Sequence, residues 1–219
     1  MKKILVSDDS AQMRRDDADV ITTNSEIKKV VVIASSTGGP NALHQVIPKL
    51  PANLDAPVLL VQHMPKGFTK PFAERLDSLS AVKVVEASEN DILKKGHVYV
   101  ARGGNHLKVD PKNKARVYYT DEPPREGVRP CANYLFESLI DSDYEEIICV
   151  VMTGMGQDGM EGILNLSKKK KVFVITQDEE TSTIYGMPKA VFKKGLSDLV
   201  VPLQMISSEI VKAVANKKL

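Results

Sequence analysis

The chain has 219 residues, 42% of them hydrophobic and 26% charged, with a formal net charge of +2. That is enough for one substantial core with at most a short appendage. The charge balance argues against nucleic acid or a membrane surface as the main partner. No apolar run approaches the roughly 20 residues of a membrane span, and Met1-Lys2-Lys3 leads into no signal peptide. The two cysteines, Cys131 and Cys149, have no metal-ligand spacing, and Cys149 lies in an apolar run, so a buried thiol in a soluble, cytoplasmic protein is expected.

In chain order, Lys3 to Ser10 reads as a small strand ending in the acidic pair Asp8-Asp9, followed by a charged stretch from Arg14 to Lys29 with few large apolar groups. Val30-Val31-Val32-Ile33 is an unbroken β-branched run, the pattern of a strand covered on both faces. It turns abruptly through Ser35, Ser36, Thr37, Gly38 and Gly39, and Pro40 then presets the first turn of a helix continuing toward Ile47. Three readings compete for this turn. It is an ordinary strand-to-helix loop, a phosphate cradle lacking G-x-G-x-x-G and G-K-[ST], or a nucleophile turn carrying Ser36 or Ser35.

Beyond it, strand, turn and helix alternate, which favours a single α/β domain: a doubly wound, mostly parallel sheet with helices on both faces. The next strand, Ala56 to Val61, ends at Gln62-His63-Met64-Pro65, and Thr69 to Leu79 reads as a helix with Phe72, Leu76 and Leu79 on one stripe. Val82–Val85, His97–Ala101 and Arg116–Thr120 alternate more, and strands or hairpins toward one sheet edge are expected there. After a Pro-rich loop and a helix from Ala132 to Ile140, a second long apolar strand, Glu146 to Met152, ends in Thr153-Gly154-Met155-Gly156-Gln157-Asp158-Gly159. A helix from Met160 to Leu166, a solvated cationic end at Lys168 to Lys171 and a strand from Val172 to Thr176 follow. A helix opening at Tyr185-Gly186-Met187-Pro188 and stopped by Gly195, a closing strand Leu199 to Val201 and a final amphipathic helix from Met205 to Lys217 complete the chain.

In an open parallel sheet the loops after the carboxyl ends of strands converge on one rim. Three such ends carry a hydroxyl, an imidazole and a carboxylate: Ser36, His63 and Asp158. An alcohol becomes a useful nucleophile when an imidazole takes its proton, and the imidazole works best when a carboxylate orients it. Glycines beside Ser36 and Asp158 leave N–H groups free for an oxyanion. Each residue also has a structural reading: His63 as a capping histidine, Asp158 as a helix N-cap. His44, His97 and His106 lack a strand-end position and read as surface or local structural groups.

The motifs A-S-S-T-G-G-P, L-L-V-Q-H-M-P-K-G-F-T-K-P-F-A-E-R-L and V-M-T-G-M-G-Q-D-G, with G-H-V-Y-V-A-R-G-G-N-H-L, V-R-P-C-A-N-Y-L-F and Y-G-M-P-K-A-V, resemble the catalytic domain of the chemotaxis protein-glutamate methylesterase family, CheB. The likeness runs from Val30 to Lys212. It implies a serine hydrolase that removes methyl groups from glutamate methyl esters on the cytoplasmic helices of chemoreceptors, in many members also deamidating glutamines, with no metal or organic cofactor. By motif, Ser36 is the nucleophile, His63 the base and Asp158 its orienting carboxylate; Met155 belongs to the oxyanion turn, and Thr37, Gly38 and Gly39 lie at the site. Rival readings are a non-catalytic module that binds receptors or anions, and a small-molecule esterase. The opening resembles the start of a phosphorylation receiver domain, but such a domain needs about 100 residues. Residues 1–29 are therefore expected to be a remnant and linker, with Asp8 and Asp9 holding no metal and phosphorylation control absent, ahead of a catalytic domain at 30–219. Ala34, Gln157, Cys131 and Asn133 depart from the usual residues, and the last two are expected to affect substrate handling more than triad chemistry.

Overall fold

Among the described residues seven parallel strands, β1 (Lys29–Ser35), β2 (Val58–Gln62), β3 (Lys83–Glu86), β4 (His97–Val100), β7 (Glu146–Val151), β8 (Lys171–Gln177) and β9 (Leu199–Val201), form one sheet. Their order is β3-β4-β2-β1-β7-β8-β9. The structure is a computed structural model and describes residues 27–113 and 115–216; Asp8 and Asp9 lie outside them. Among the described residues there are six α-helices, five between strands and the last after the final one: α1 (Gly39–Val46), α2 (Thr69–Asp77), α3 (Ala132–Ser138), α4 (Met160–Ser167), α5 (Met187–Lys193) and α6 (Leu203–Ala215).

The central strands are apolar throughout because both of their faces are covered. Val30, Val32 and Ala34 of β1 pack with Leu135 and Phe136 of α3, Ile163 of α4 and Val191 of α5. Val31 and Ile33 pack on the other side with Leu43 of α1, Leu76 of α2 and Ile210 of α6. Side chains on a strand alternate between faces, so one five-residue apolar run serves two cores. Burying each valine or isoleucine contributes about 1.5–3 kcal/mol relative to exposure.

Three sequence expectations are corrected. Val117–Thr120 (β6) does not join the sheet edge; it pairs antiparallel with His106–Val109 (β5) in a separate hairpin. Alternation reports one buried face but does not say which strand is the neighbour, and Leu107, Val109 and Val117 bury that face against the α3 side of the core. Leu79 is not on the apolar stripe of α2: the helix ends at Asp77, and Leu79 is 44% exposed. Lys171, expected in a solvated helix end, begins β8 and pairs with Glu146 at 2.6 Å. Among the described residues no helix is long and apolar enough to cross a membrane.

From β1 the chain winds to β2 on one side, whereas β7 is followed by β8 on the other. Their helices α1 and α4 lie against opposite faces. The carboxyl ends of β1 and β7 therefore flank a topological switch point, where crossovers diverging to the two faces leave a crevice.

Candidate active site

Ser36 follows β1 and His63 follows β2, and the register pairs Ser35 with Gln62. Neighbouring strands run about 4.8 Å apart, so Ser36 and His63 emerge side by side, and the His63 amide donates to the Ser35 carbonyl at 3.1 Å. On the other flank the Ser36 amide donates to the Thr153 carbonyl at 3.0 Å, beyond the end of β7. The rim thus gathers the three strand ends that carry the hydroxyl, imidazole and carboxylate.

The two serines differ. Ser35 is fully buried, and its hydroxyl donates to Gln62 Oε1 at 2.7 Å. Ser36 is only partly buried, and among the described residues its hydroxyl has no hydrogen-bond partner. Of the pair left open by the sequence, only Ser35 has its hydroxyl tied to a partner among the described residues.

His63 Nε2 lies 2.7 Å from Asp158 Oδ2. The carboxylate can only accept, so Nε2 carries the proton, and in the neutral imidazole Nδ1 keeps a free lone pair. The structure thus joins the imidazole to the carboxylate and leaves the Ser36 hydroxyl on the neighbouring strand end without a partner among the described residues; contacts of this kind commonly tighten only when substrate fills a site.

Asp158 is 2% exposed, yet its carboxylate is held below the usual range. Burial alone pushes it upward; hydrogen bonds from His63 and Cys131, the nearby imidazole and the Ala132 amide outweigh that. Cys131 Sγ donates to Oδ1 at 3.0 Å, the Ala132 amide to Oδ2 at 2.6 Å and the Asn133 amide to Oδ1 at 2.9 Å. Asp158 does act as a helix cap, but for α3 and not for the helix it precedes. In return, Asn133 Oδ1 accepts the amides of Gly159 at 3.0 Å and Gly162 at 2.7 Å, at the start of α4. Neither helix has a capping side chain at its own N-cap, Cys131 or Gly159. Each borrows one from the other, satisfying amides a helix start would leave unpaired.

Cys131 and Asn133 therefore stand behind the carboxylate, both buried. They were expected to bear on substrate handling more than on the triad; the partner both meet here is the Asp158 carboxylate. Burial and the neighbouring carboxylate push the Cys131 thiol far up, so it stays protonated and able to donate. His106 is fully buried, which excludes its surface reading. Its Nδ1 accepts the Cys131 amide at 3.1 Å and its Nε2 donates to the Glu122 carbonyl at 3.1 Å, and burial lowers its pKa. His44 Nδ1 meets the Pro40 carbonyl at 2.7 Å within α1, and His97 stacks on Tyr99, both local roles as expected.

Around Ser36, Gly38 adopts φ 81° as the N-cap of α1, and the Gly39 amide turns back to the Ser36 carbonyl at 2.8 Å. Thr37 is exposed, its carbonyl held by Thr153 Oγ1 at 2.9 Å. Met155 is 67% exposed. The amides of Thr37, Gly38 and Met155 make no main-chain hydrogen bond among the described residues. The Gly156 and Gln157 amides of the same turn are likewise without one. Thr153 and Gln62 were not identified as site residues from sequence; both are buried polar side chains at strand ends, and the Q-H-M-P and T-G-M-G motifs were their only signal.

The family model of the CheB methylesterase matches residues 31–210. The chain belongs to the CheB methylesterase family. It is 45% identical over 190 residues to the protein-glutamate methylesterase/protein-glutamine glutaminase 1 of Syntrophomonas wolfei, an alignment spanning 84% of this chain and 54% of that protein. With the protein-glutamate methylesterase/protein-glutamine glutaminase of Clostridium acetobutylicum it shares 47% identity over 191 residues, 87% of this chain and 54% of the relative. The chain thus spans about half the length of the curated relatives it matches. The crystal structure of the Thermotoga maritima CheB methylesterase catalytic domain superposes with a TM-score of 0.80 at 38% identity, covering 84% of this chain and 98% of that one. The doubly wound parallel sheet expected from sequence is therefore the fold of the CheB catalytic domain.

Proposed function

We propose that this chain is a serine hydrolase that removes methyl groups from glutamate γ-methyl esters on the cytoplasmic helices of chemoreceptors, releasing methanol. The observation that carries the reading is the His63–Asp158 hydrogen bond beside Ser36, with Nδ1 of the imidazole free. Relatives named as methylesterase and glutaminase support the substrate class. The cytoplasm, where those receptor helices lie, is its place of action.

The chemistry follows from the protonation state. Ser36 Oγ attacks the γ-carbonyl carbon as its proton passes to His63 Nδ1, and Asp158 stabilises the imidazolium through Nε2. The carbonyl oxygen becomes an oxyanion, for which the unbonded amides of Thr37, Gly38 and Met155 are available. Collapse breaks the ester C–O bond, and methoxide leaves as methanol with the Nδ1 proton. Water then gives a proton to Nδ1 and attacks the glutamyl-enzyme, and Ser36 regains the proton as the free carboxylate forms. A glutamine amide enters the same sequence with ammonia as leaving group. Here Nδ1 serves as the base, so the imidazole is used the other way round from triads in which Nδ1 faces the carboxylate.

The test is methanol release from methylated receptor fragments. Ser36→Ala and His63→Ala are expected to reduce it to background, and a serine-directed phosphonate is expected to label Ser36 alone. Activity retained by Ser36→Ala would end the assignment. Phosphate binding without labelling would indicate a binding module, and turnover of simple esters but not receptor fragments would reassign the substrate.

A further inference from the structure

Gln62 is 2% exposed at the end of β2, and its amide spans the two strand ends that carry Ser36 and His63. Nε2 donates to the Ser36 carbonyl at 3.0 Å and to the His63 carbonyl at 3.1 Å. Oε1 accepts the Ser35 hydroxyl at 2.7 Å. Both amide hydrogens and the carbonyl oxygen are thus engaged, and they tie the main chain of the nucleophile's residue to that of the base's residue.

The surroundings are shaped to this amide. A Cβ on Gly39 would lie 2.0 Å from Gln62 Oε1 and 3.0 Å from Ser35 Cβ. Gly39 is the first residue of α1 and its φ is not positive, so the backbone there would accept alanine. The absence of a side chain at this position makes room for the amide and is not needed for conformation.

We propose that Gln62 is a positioning residue that sets the spacing between Ser36 and His63, with Ser35 and Gly39 holding its amide in place. The proposal rests on the Ser36–His63–Asp158 reading above. Ser36 and His63 share no side-chain hydrogen bond in the free protein, so their approach depends on the main chain that carries them. A shift of about 1 Å in such a pair can cost on the order of 10²-fold in rate.

The experiment measures kcat and KM for methanol release from methylated receptor fragments, with folded fraction monitored by circular dichroism. Gln62→Leu keeps the shape and removes the three hydrogen bonds; kcat is expected to fall about 10²-fold with KM nearly unchanged. Gly39→Ala displaces the amide without altering Gln62, and is expected to lower kcat in the same way. In a Gln62→Ala background, where no amide remains to displace and only the 3.0 Å approach to Ser35 Cβ is left, Gly39→Ala is expected to cost much less, a coupling a double-mutant cycle isolates. Ser35→Ala removes one of the three bonds and is expected to give a smaller fall in kcat; it carries the test if the other variants do not fold. Wild-type kcat in folded Gln62→Leu or Ser35→Ala, a loss confined to KM, or an equal Gly39→Ala penalty in both backgrounds would overturn the proposal. Ser36→Ala in the same assay separates the two levels: if it is inactive while Gln62→Leu is normal, the clamp fails and the triad stands.

Discussion

Asp158 is 2% exposed and receives donors from His63, Cys131, Ala132 and Asn133, whereas the Ser36 hydroxyl, one strand end away, is partly open and meets none among the described residues. The carboxylate end is part of the core: its hydrogen bonds also start α3, and Asn133 repays them at α4. The Ser36 end is, among the described residues, hydrogen-bonded through its main chain alone, by Thr153, Gly39 and Gln62. On the proposed reading, a site built this way fixes the group that has to stay ionised and leaves partly open the group that has to reach substrate. Activity and stability should accordingly separate at one end and travel together at the other.

The largest break in that comparison is Asp158→Asn. It is expected to lower the rate by about 10⁴-fold, and also to lower the thermal midpoint, because an amide cannot accept from all four donors. Ser36→Ala, by contrast, is expected to abolish turnover while shifting stability by no more than about 0.5 kcal/mol. Thermal melts of the two variants beside methanol release decide it. An unchanged midpoint for Asp158→Asn would show that the carboxylate is not structural.

Asn133→Ala probes the reciprocal cap. It leaves the Gly159 and Gly162 amides unpaired in a buried setting, and a loss of about 1–3 kcal/mol in urea denaturation is expected. Its effect on rate should be smaller than that of Asp158→Asn, since the carboxylate keeps its own donors.

How far these roles were legible in the sequence differs by residue. The central strands could be read because burial on both faces writes continuous apolar runs such as Val30 to Ile33. Ser36, His63 and Asp158 could be read as a group because each follows a strand. The hairpin of β5 and β6 was misplaced because an alternating pattern does not name its partner. Cys131, Asn133, Gln62 and His106 could not be assigned their roles, since buried polar side chains act through hydrogen bonds to residues such as Asp158, Gly162 and Ser36, 26 to 29 positions away in the contacts that matter most. No periodicity encodes such a distance.

The smallest effect concerns His106, which faces the Glu122 and Pro123 carbonyls, the Cys131 amide, the Tyr134 ring, the Glu122 carboxylate and Arg129. Its folded pKa is lowered from 6.5, so below that pH the unfolded chain binds a proton that the folded chain resists. The stability contributed by neutral His106 is therefore present above that value and declines as pH falls through the folded pKa. Urea midpoints measured from neutral to mildly acidic pH should fall for the wild type and fall less steeply for His106→Gln. Parallel curves would remove His106 from the account of acid sensitivity.

The opening between β1 and β7 arises from the directions in which the chain leaves those two strands, so no single side chain sustains it. An inert Ser36→Ala protein should consequently keep its receptacle and still engage methylated receptor. Added in excess to active enzyme, it would act as a decoy, slowing methanol release in proportion to the receptor it sequesters.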